Sequence, residues 1–182
     1  MKYLAILLLA LVLPCTAAAT DYTVRPKLSQ LRFTGTYQGA DFHGRFDQWT
    51  AAISYDPAKL ADSRFDVTVT LASAHTGDHD QDSALPGTSF FDVARFPTAH
   101  FVTTGFHRDG NQVIAEGLLT LRGITRPVSL GVLFKSQGSS ATLDVAGKVR
   151  RLDFGVGSGD YADTSVIGAV VKITAHLQLV RK

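Results

Sequence analysis

The chain has 182 residues, of which 45% are hydrophobic and 19% are charged, and its formal net charge is +2. This length is sufficient for one domain with a sizeable core. The near-neutral charge gives no electrostatic case for nucleic-acid binding, which normally needs a concentrated basic patch, so we expect no nucleic-acid partner.

Residues 1–19 have the pattern of a secretory signal peptide. A basic start precedes an apolar run from Leu4 to Leu13, and three alanines end at Ala19. The apolar run of about ten residues is too short to span a bilayer, which needs about twenty. Cleavage after Ala19 predicts an exported protein with one domain in residues 20–182.

The only cysteine, Cys15, lies inside this leader. Its removal leaves a chain without disulfides, whose stability must come from its core. Lipidation of Cys15 is the alternative, and Pro14 disfavours it because lipoprotein signals carry a small residue there.

Most of the remaining chain alternates apolar and polar residues over short runs bounded by Gly, Pro, Asp and Ser, a pattern typical of strands. The predicted strands cover residues 31–37, 42–55, 65–71, 99–106, 113–121, 128–134, 141–149 and 171–179. Eight antiparallel strands with one apolar face each indicate an all-β barrel or sandwich. Closure into a barrel would remove exposed edges, and about eight strands can enclose one small ligand.

The second run changes parity near Asp47. Phe42 and Phe46 share one register, whereas Trp49 and Tyr55 share the other. Such a switch predicts a β-bulge or bend, the usual means of curling a long strand.

The third and fourth strands are separated by a segment that lacks alternation. Ser89 followed by Asp92 resembles a capping box, and Pro97 would end the helix that it begins. We therefore predict a short helical insertion that carries Phe90 and Phe91 and plugs one end of the barrel.

A polar stretch from Asp78 to Leu85 is a weaker candidate for a helical turn. His75 and His79 are four residues apart and would share one face of a regular helix, as metal ligands often do. Gly77 lies between them and the segment is wholly polar, so we favour a solvated loop and predict no metal site.

No catalytic pattern emerges. The glycine-rich stretch 155–160 ends in Asp160 where a phosphate-binding loop carries glycine, and Ser158 lacks the glycines of a nucleophile elbow. We interpret residues 151–168 as a long loop and expect neither an enzyme nor a required cofactor.

Aromatic residues are the distinctive feature of the inferred inner face. Small residues such as Gly35, Gly44 and Gly117 between them could leave an elongated apolar cavity. Ordinary core packing of the same residues is the alternative. The predicted ligand-binding residues are Phe33, Phe42, Phe46, Trp49, Phe65, Phe90, Phe91, Phe101, Leu119 and Phe134.

Four segments in this order resemble the YceI family of bacterial periplasmic proteins. They are Gly44–Phe46, Phe90–Pro97 with Phe101 beyond it, Gly117–Val128, and Arg151–Gly155. The resemblance covers essentially the whole chain after the leader.

The resemblance implies a lipocalin-like antiparallel β-barrel, often a homodimer, that holds an isoprenoid chain such as a quinone tail, or a fatty-acid-like lipid, in its lumen. The chain is similar in particular to the version found beside membrane cytochromes of the b561 type. This implies a periplasmic lipid carrier. The alternative is a stress-related interaction module that docks on such a cytochrome and carries no lipid of its own.

Overall fold

The computed structural model describes residues 19–182, and antiparallel strands dominate it. The predicted leader lies outside the described residues apart from Ala19. The strands are β1 (Thr20–Val24), β2 (Gln30–Tyr37), β3 (Ala40–Phe46), β4 (Trp49–Tyr55), β5 (Arg64–Thr70), β6 (Ala74–His75), β7 (Thr98–Asp109), β8 (Gln112–Leu121), β9 (Ile124–Gln137), β10 (Ser140–Arg150) and β11 (Val170–Arg181). Among the described residues the single α-helix is α1 (His79–Ala84), and short 3₁₀ turns span Pro26–Leu28, Leu60–Asp62, Leu71–Ser73, Arg151–Phe154 and Gly159–Tyr161. No helix within residues 19–182 combines the length and the apolar character needed to cross a membrane.

The strands close into one antiparallel ring of eight positions, which confirms the predicted barrel. β1 and β2 share one position because they pair with opposite halves of β11. β3 and β4 share the next position, and β5 and β6 share the third. β7 to β11 fill one position each. Because β1 returns to β11, the sheet has closed and the sandwich alternative is excluded.

The predicted bend near Asp47 separates β3 from β4. The amide of Asp47 donates to the backbone carbonyl of Ser73 at 3.1 Å, and the amide of Gln48 donates to the Ser73 hydroxyl at 3.0 Å. The two residues thus leave the strand ladder and bond to Ser73, which lies between the neighbouring strands β5 and β6. As a result Phe46 and Trp49, which have opposite parity, both face the lumen.

A tight turn at Arg122 and Gly123 joins β8 to β9. Both residues have positive φ angles, 50° and 71°, which match the twist of a tight hairpin. β9 begins directly after them at Ile124, earlier than the alternation starting at Val128 predicted. β1 was not predicted, because only Tyr22 and Val24 mark its alternation.

The helical insertion lies between the predicted third and fourth strands, but at α1 and not at Ser89. The carboxylate of Asp78 caps α1 by accepting from the amides of Asp80 and Gln81, at 3.1 and 2.9 Å. The helix predicted from Ser89 is wrong, since residues 88–95 form successive turns and Asp92 has a φ of 49°. A short polar side chain tolerates this left-handed conformation, which breaks a helix.

Buried side chains form two clusters at opposite ends of the barrel. The first includes Phe65 on β5 and Leu143 on β10. The second includes Leu71, six residues beyond Phe65, and Val149, six residues beyond Leu143. Strand β10 therefore contributes to both clusters, and the space between the clusters is the barrel lumen.

Candidate ligand-binding cavity

A cavity of about 240 Å³ lies between the two core clusters, inside the barrel. Every one of the eight strand positions contributes inward-facing side chains to its wall. Among the described residues that line it, only Trp49, Thr36 and Arg151 carry polar side-chain groups. The cavity is therefore suited to an apolar guest, because few groups could satisfy buried polar atoms of a ligand.

Nine of the ten predicted ligand-binding residues line this cavity. They are Phe33, Phe42, Phe46, Trp49, Phe65, Phe90, Phe91, Phe101 and Leu119. Phe134 is not brought to the cavity wall, since its ring packs on Tyr55 at a centroid distance of 4.9 Å and on Tyr22 at 5.6 Å. Whether the nine contact a ligand stays a prediction.

The glycines expected to leave open space between the aromatics are instead covered by them. A Cβ atom at Gly35 would overlap the ring of Phe42, and one at Gly44 would overlap the ring of Phe33. Each pair lies directly cross-strand in the β2–β3 ladder. The glycines therefore let phenylalanine rings lie close against the sheet, an arrangement known to stabilise glycine in strands.

The aromatic wall continues from the sheet into the central segment, which we define as residues 78–97. The ring centroids of Phe33 and Phe46 are 5.1 Å apart, and those of Phe46 and Phe91 are 6.1 Å apart. Phe91 is 8% exposed and belongs to the second core cluster. Although its helix was predicted wrongly, the central segment lines one end of the lumen through Leu85, Phe90 and Phe91.

The central segment is held against the glycine-rich loop, residues 151–168. Arg122 donates from Nη1 to the carbonyl oxygens of Phe90 and Gly155, the latter at 2.8 Å. The amide of Gly157 donates to the carbonyl of Ser89 at 2.7 Å. Arg122 reaches both segments because its positive φ places it at the corner of the β8–β9 turn.

Arg151 is the most deeply buried charged side chain in the core, with 4% exposure. All of its N–H groups face backbone carbonyls. The acceptors are Gly168 (3.1 Å from Nε), Val156 (3.0 Å) and Gly157 from Nη1, and Tyr161 and Ile167 (both 2.8 Å) from Nη2. Burial lowers the pKa of Arg151, but a guanidinium keeps its charge in proteins.

Sequence reasoning did not single out this role for Arg151. Its carbonyl partners come from a loop whose conformation the sequence does not reveal. Since these carbonyls occupy all of its donors, Arg151 organises the glycine-rich loop and offers no free donor to a ligand.

The ionic pairs lie outside the cavity wall. His100 Nε2 and Asp66 Oδ1 are 2.7 Å apart, and the hydrogen bond from His100, helped by Arg64, lowers the pKa of Asp66. These residues alternate with the inward-facing Phe65 and Phe101, so they occupy the outer face of β5 and β7.

The predicted solvated stretch around His75 is more ordered than expected. Asp82 on α1 pairs with His75 and accepts hydrogen bonds from Thr76 and from the amide of Gly77. Burial raises the pKa of Asp82, but the hydrogen bonds and the charge of His75 outweigh that effect and lower it overall. Within residues 19–182, no three His, Cys, Asp or Glu side chains come close enough together to hold a metal ion.

A closed eight-stranded barrel with an apolar lumen defines a lipocalin-like β-barrel. The protein-family model described as the YceI-like domain matches residues 22–179 of the sequence. The chain therefore belongs to the YceI-like family.

The relatives include a UPF0312 protein of Shewanella denitrificans, 32% identical over 125 residues, which are 66% of this chain and 65% of that protein. A UPF0312 protein of Pseudomonas savastanoi pv. phaseolicola is 33% identical over 127 residues, 67% of this chain and 66% of that protein. The matches thus span just under two thirds of the length of these relatives.

Solved structures share the barrel. BcnA of Burkholderia cenocepacia superposes with a TM-score of 0.81 at 29% identity, covering 86% of this chain and 99% of that one. A domain from Saccharophagus degradans, described as a polyisoprenoid binding domain implicated in plant cell wall breakdown, superposes with a TM-score of 0.67 at 15% identity. It covers 90% of this chain and 99% of that domain. At that identity the second likeness shows the fold alone.

Proposed function

We propose that the protein is a non-enzymatic carrier of an isoprenoid, such as a quinone tail, or of another long-chain apolar lipid, held in the barrel lumen. The observation that carries this proposal is the composition of the cavity wall. Its polar side-chain groups are limited to three among the described residues, and Arg151, the only charged one, has every donor occupied. An apolar tail is the ligand class that such a wall can hold without leaving polar groups unpaired.

The energetics support binding without a charged contact. Enclosing roughly 300 Å² of apolar tail surface would contribute about 7.5 kcal/mol at 25 cal/mol per Å². Part of this gain is lost in ordering the tail and restricting its motion. The remainder is compatible with a carrier that exchanges its ligand.

The comparisons support the same ligand class. The Saccharophagus domain with this barrel is described as polyisoprenoid binding. Membership of the YceI-like family together with such a neighbour favours a binding protein over an enzyme. Turnover of a lipid that is abolished by Thr36→Val would contradict this part of the proposal.

Mass spectrometry of an organic-solvent extract of the purified protein tests the proposal. We expect a co-purified isoprenoid or long-chain lipid, or binding of added ubiquinone or fatty acid by the lipid-free protein. The absence of both would refute it.

A matched pair of variants tests whether the lipid lies inside the lumen. Ala51 lines the lumen, whereas its neighbour Ala52 is exposed on the outer face of β4. Ala51→Phe should abolish lipid retention by filling the cavity, and Ala52→Phe should retain lipid as the wild type does. Equal retention by both variants would place the lipid outside the lumen.

We further propose that the leader directs export to the periplasm, with the mature chain beginning at Thr20. N-terminal sequencing of the protein recovered from a periplasmic fraction tests this, and an intact Met1 in that fraction would refute it. Docking on a membrane cytochrome of the b561 type and homodimer formation stay predictions. Co-purification with such a cytochrome and light scattering, respectively, would test them.

A further inference from the structure

The cavity occupies only part of the barrel length. On β4, Ile53 lines the cavity, whereas Tyr55, the next inward-facing residue, does not. On β11, Leu177 lines it and Leu179 does not. Both Tyr55 and Leu179 are 1% exposed, so the barrel beyond this level is filled by side chains.

The filling is aromatic, and we call it the aromatic floor: Tyr22, Tyr55, Phe106 and Phe134. Tyr55 lies at its centre, with ring centroids 4.9 Å from Phe134 and 5.8 Å from Phe106. Tyr22 contacts Phe134 at 5.6 Å. The floor in turn contacts Phe65 of the cavity wall, whose ring is 4.9 Å from that of Phe106 and 5.7 Å from that of Tyr55. Interlocked rings of this kind resist displacement by a flexible tail, because protein interiors are close-packed.

The length of the cavity follows from the strand that runs along it. On β11 the lining residues extend from Val171 to Leu177. Six steps at about 3.3 Å per residue give roughly 20 Å along the strand, and a tilt of about 40° reduces this to about 15 Å along the barrel axis. The cavity volume of about 240 Å³ agrees with a short guest, since it lies below the range of roughly 300–1,000 Å³ typical of drug-sized ligands.

An extended chain advances about 1.2 Å per bond, because a residue with three backbone bonds spans about 3.5 Å. A length of about 15 Å therefore holds about 12 chain bonds, and at four bonds per unit this equals about three isoprene units. We infer that the aromatic floor limits the length of tail that the lumen encloses, so that it holds about three isoprene units, or an alkyl chain of about 12 carbons, and leaves any further units outside. This inference rests on the proposed carrier function and specifies its ligand class.

A series of all-trans prenols with two to five isoprene units tests the inference: geraniol, farnesol, geranylgeraniol and geranylfarnesol. Trp49 lines the cavity and is the only tryptophan of the chain, so its fluorescence reports occupancy directly. We expect at least about tenfold tighter binding from two units to three, because each buried methylene adds to affinity. Beyond three units the dissociation constant should change less than about threefold, because the added carbons stay in solvent.

We call the break point the number of isoprene units beyond which the dissociation constant stops falling, and variants of the cavity should shift it. Phe134→Ala removes one ring of the floor and should move the break from three units to four. Leu133→Ala is the matched control, since Leu133 is adjacent on β9 but 53% exposed. Ala175→Leu works in the opposite direction by adding volume to the cavity wall, and it keeps the test valid if Phe134→Ala does not fold. In Ala175→Leu the break should fall to two units.

The outcomes separate this inference from the function on which it depends. A steady gain in affinity through five units in the wild type would overturn the length limit and leave the carrier function intact. A break point that moves in neither Phe134→Ala nor Ala175→Leu would overturn the role of the floor. Failure of every prenol and of a long-chain fatty acid to bind, by Trp49 fluorescence and by calorimetry, would refute the carrier function and the inference together.

Discussion

Replacing Arg151 with methionine should destabilise the whole barrel. The substitution keeps a long apolar stem but removes the donors from which five buried or half-buried carbonyls of the glycine-rich loop accept. A hydrogen bond to a charged donor contributes about 1.5–3 kcal/mol, but the loop can relax and water can reach some of these carbonyls. We therefore expect a net loss of about 3–5 kcal/mol, comparable to breaking a buried ionic contact.

Urea denaturation followed by circular dichroism measures this loss. With a slope of about 2 kcal/mol per M, the unfolding midpoint should fall by about 1.5–2.5 M. Arg151→Lys should give a smaller loss than Arg151→Met, because an ammonium keeps three donors. It should still be destabilising, because three donors cannot meet five carbonyls.

Arg150 provides the matched control, since it precedes Arg151 and its side chain is 70% exposed. Arg150→Met should change the free energy of unfolding by less than about 0.5 kcal/mol. Equal midpoints for Arg150→Met and Arg151→Met would refute the reasoning that the guanidinium organises the loop.

Trp49→Ala and Phe91→Ala should each weaken lipid binding at least about tenfold, because both truncate the cavity wall, whereas Lys172→Ala on the outer face of β11 should leave it unchanged. Isothermal titration calorimetry with a quinone checks this, and equal losses in all three variants would indicate general destabilisation instead. Asp82→Asn should make the free energy of unfolding less dependent on pH in the acid range. The pKa of Asp82 is lower in the folded chain than in the unfolded chain, so its contribution is present above about pH 4 and is lost as the pH falls through the folded pKa. The urea midpoints of Asp82→Asn and the wild type should therefore converge as the pH falls from 7 to 3. Asp80→Asn is the control, because the side chain of Asp80 is fully exposed, and its midpoints should run parallel to those of the wild type throughout. Midpoints of Asp82→Asn that run parallel to those of the wild type would contradict the assigned pKa shift of Asp82.

Much of the fold could be predicted from the sequence because strands carry a local signal. The parity switch between Phe46 and Trp49 identified the bend, since side chains alternate with a period of two and only a break allows both residues to face inward.

The position of the helix could not be decided in this way. Ser89 and Asp78 both carry local capping signals, and the sequence favoured the wrong one. The amide of Phe91 donates to the carbonyl of Leu85 at 3.0 Å, and Arg122 bonds the carbonyl of Phe90. These contacts fold the residues after Ser89 back onto the end of α1, and they come from parts of the chain that a local pattern does not include.

The candidate site shows the same division. Alternation placed Phe65 and Phe134 on the inner face alike, but it does not reveal depth along the barrel axis. Depth depends on register and tilt between strands, and these assign Phe65 to the cavity wall and Phe134 to the aromatic floor.

The sequence by itself determined most of the strands, the inner and outer face of each of these, the family and the apolar character of the interior. These properties follow from local periodicity and residue type. The tertiary structure alone decided where the lumen ends, how phenylalanine rings cover Gly35 and Gly44, and that Arg151 lies buried among carbonyls. Each of these depends on how distant segments are aligned when the barrel closes, and closure is set by the register of all eight strand positions together.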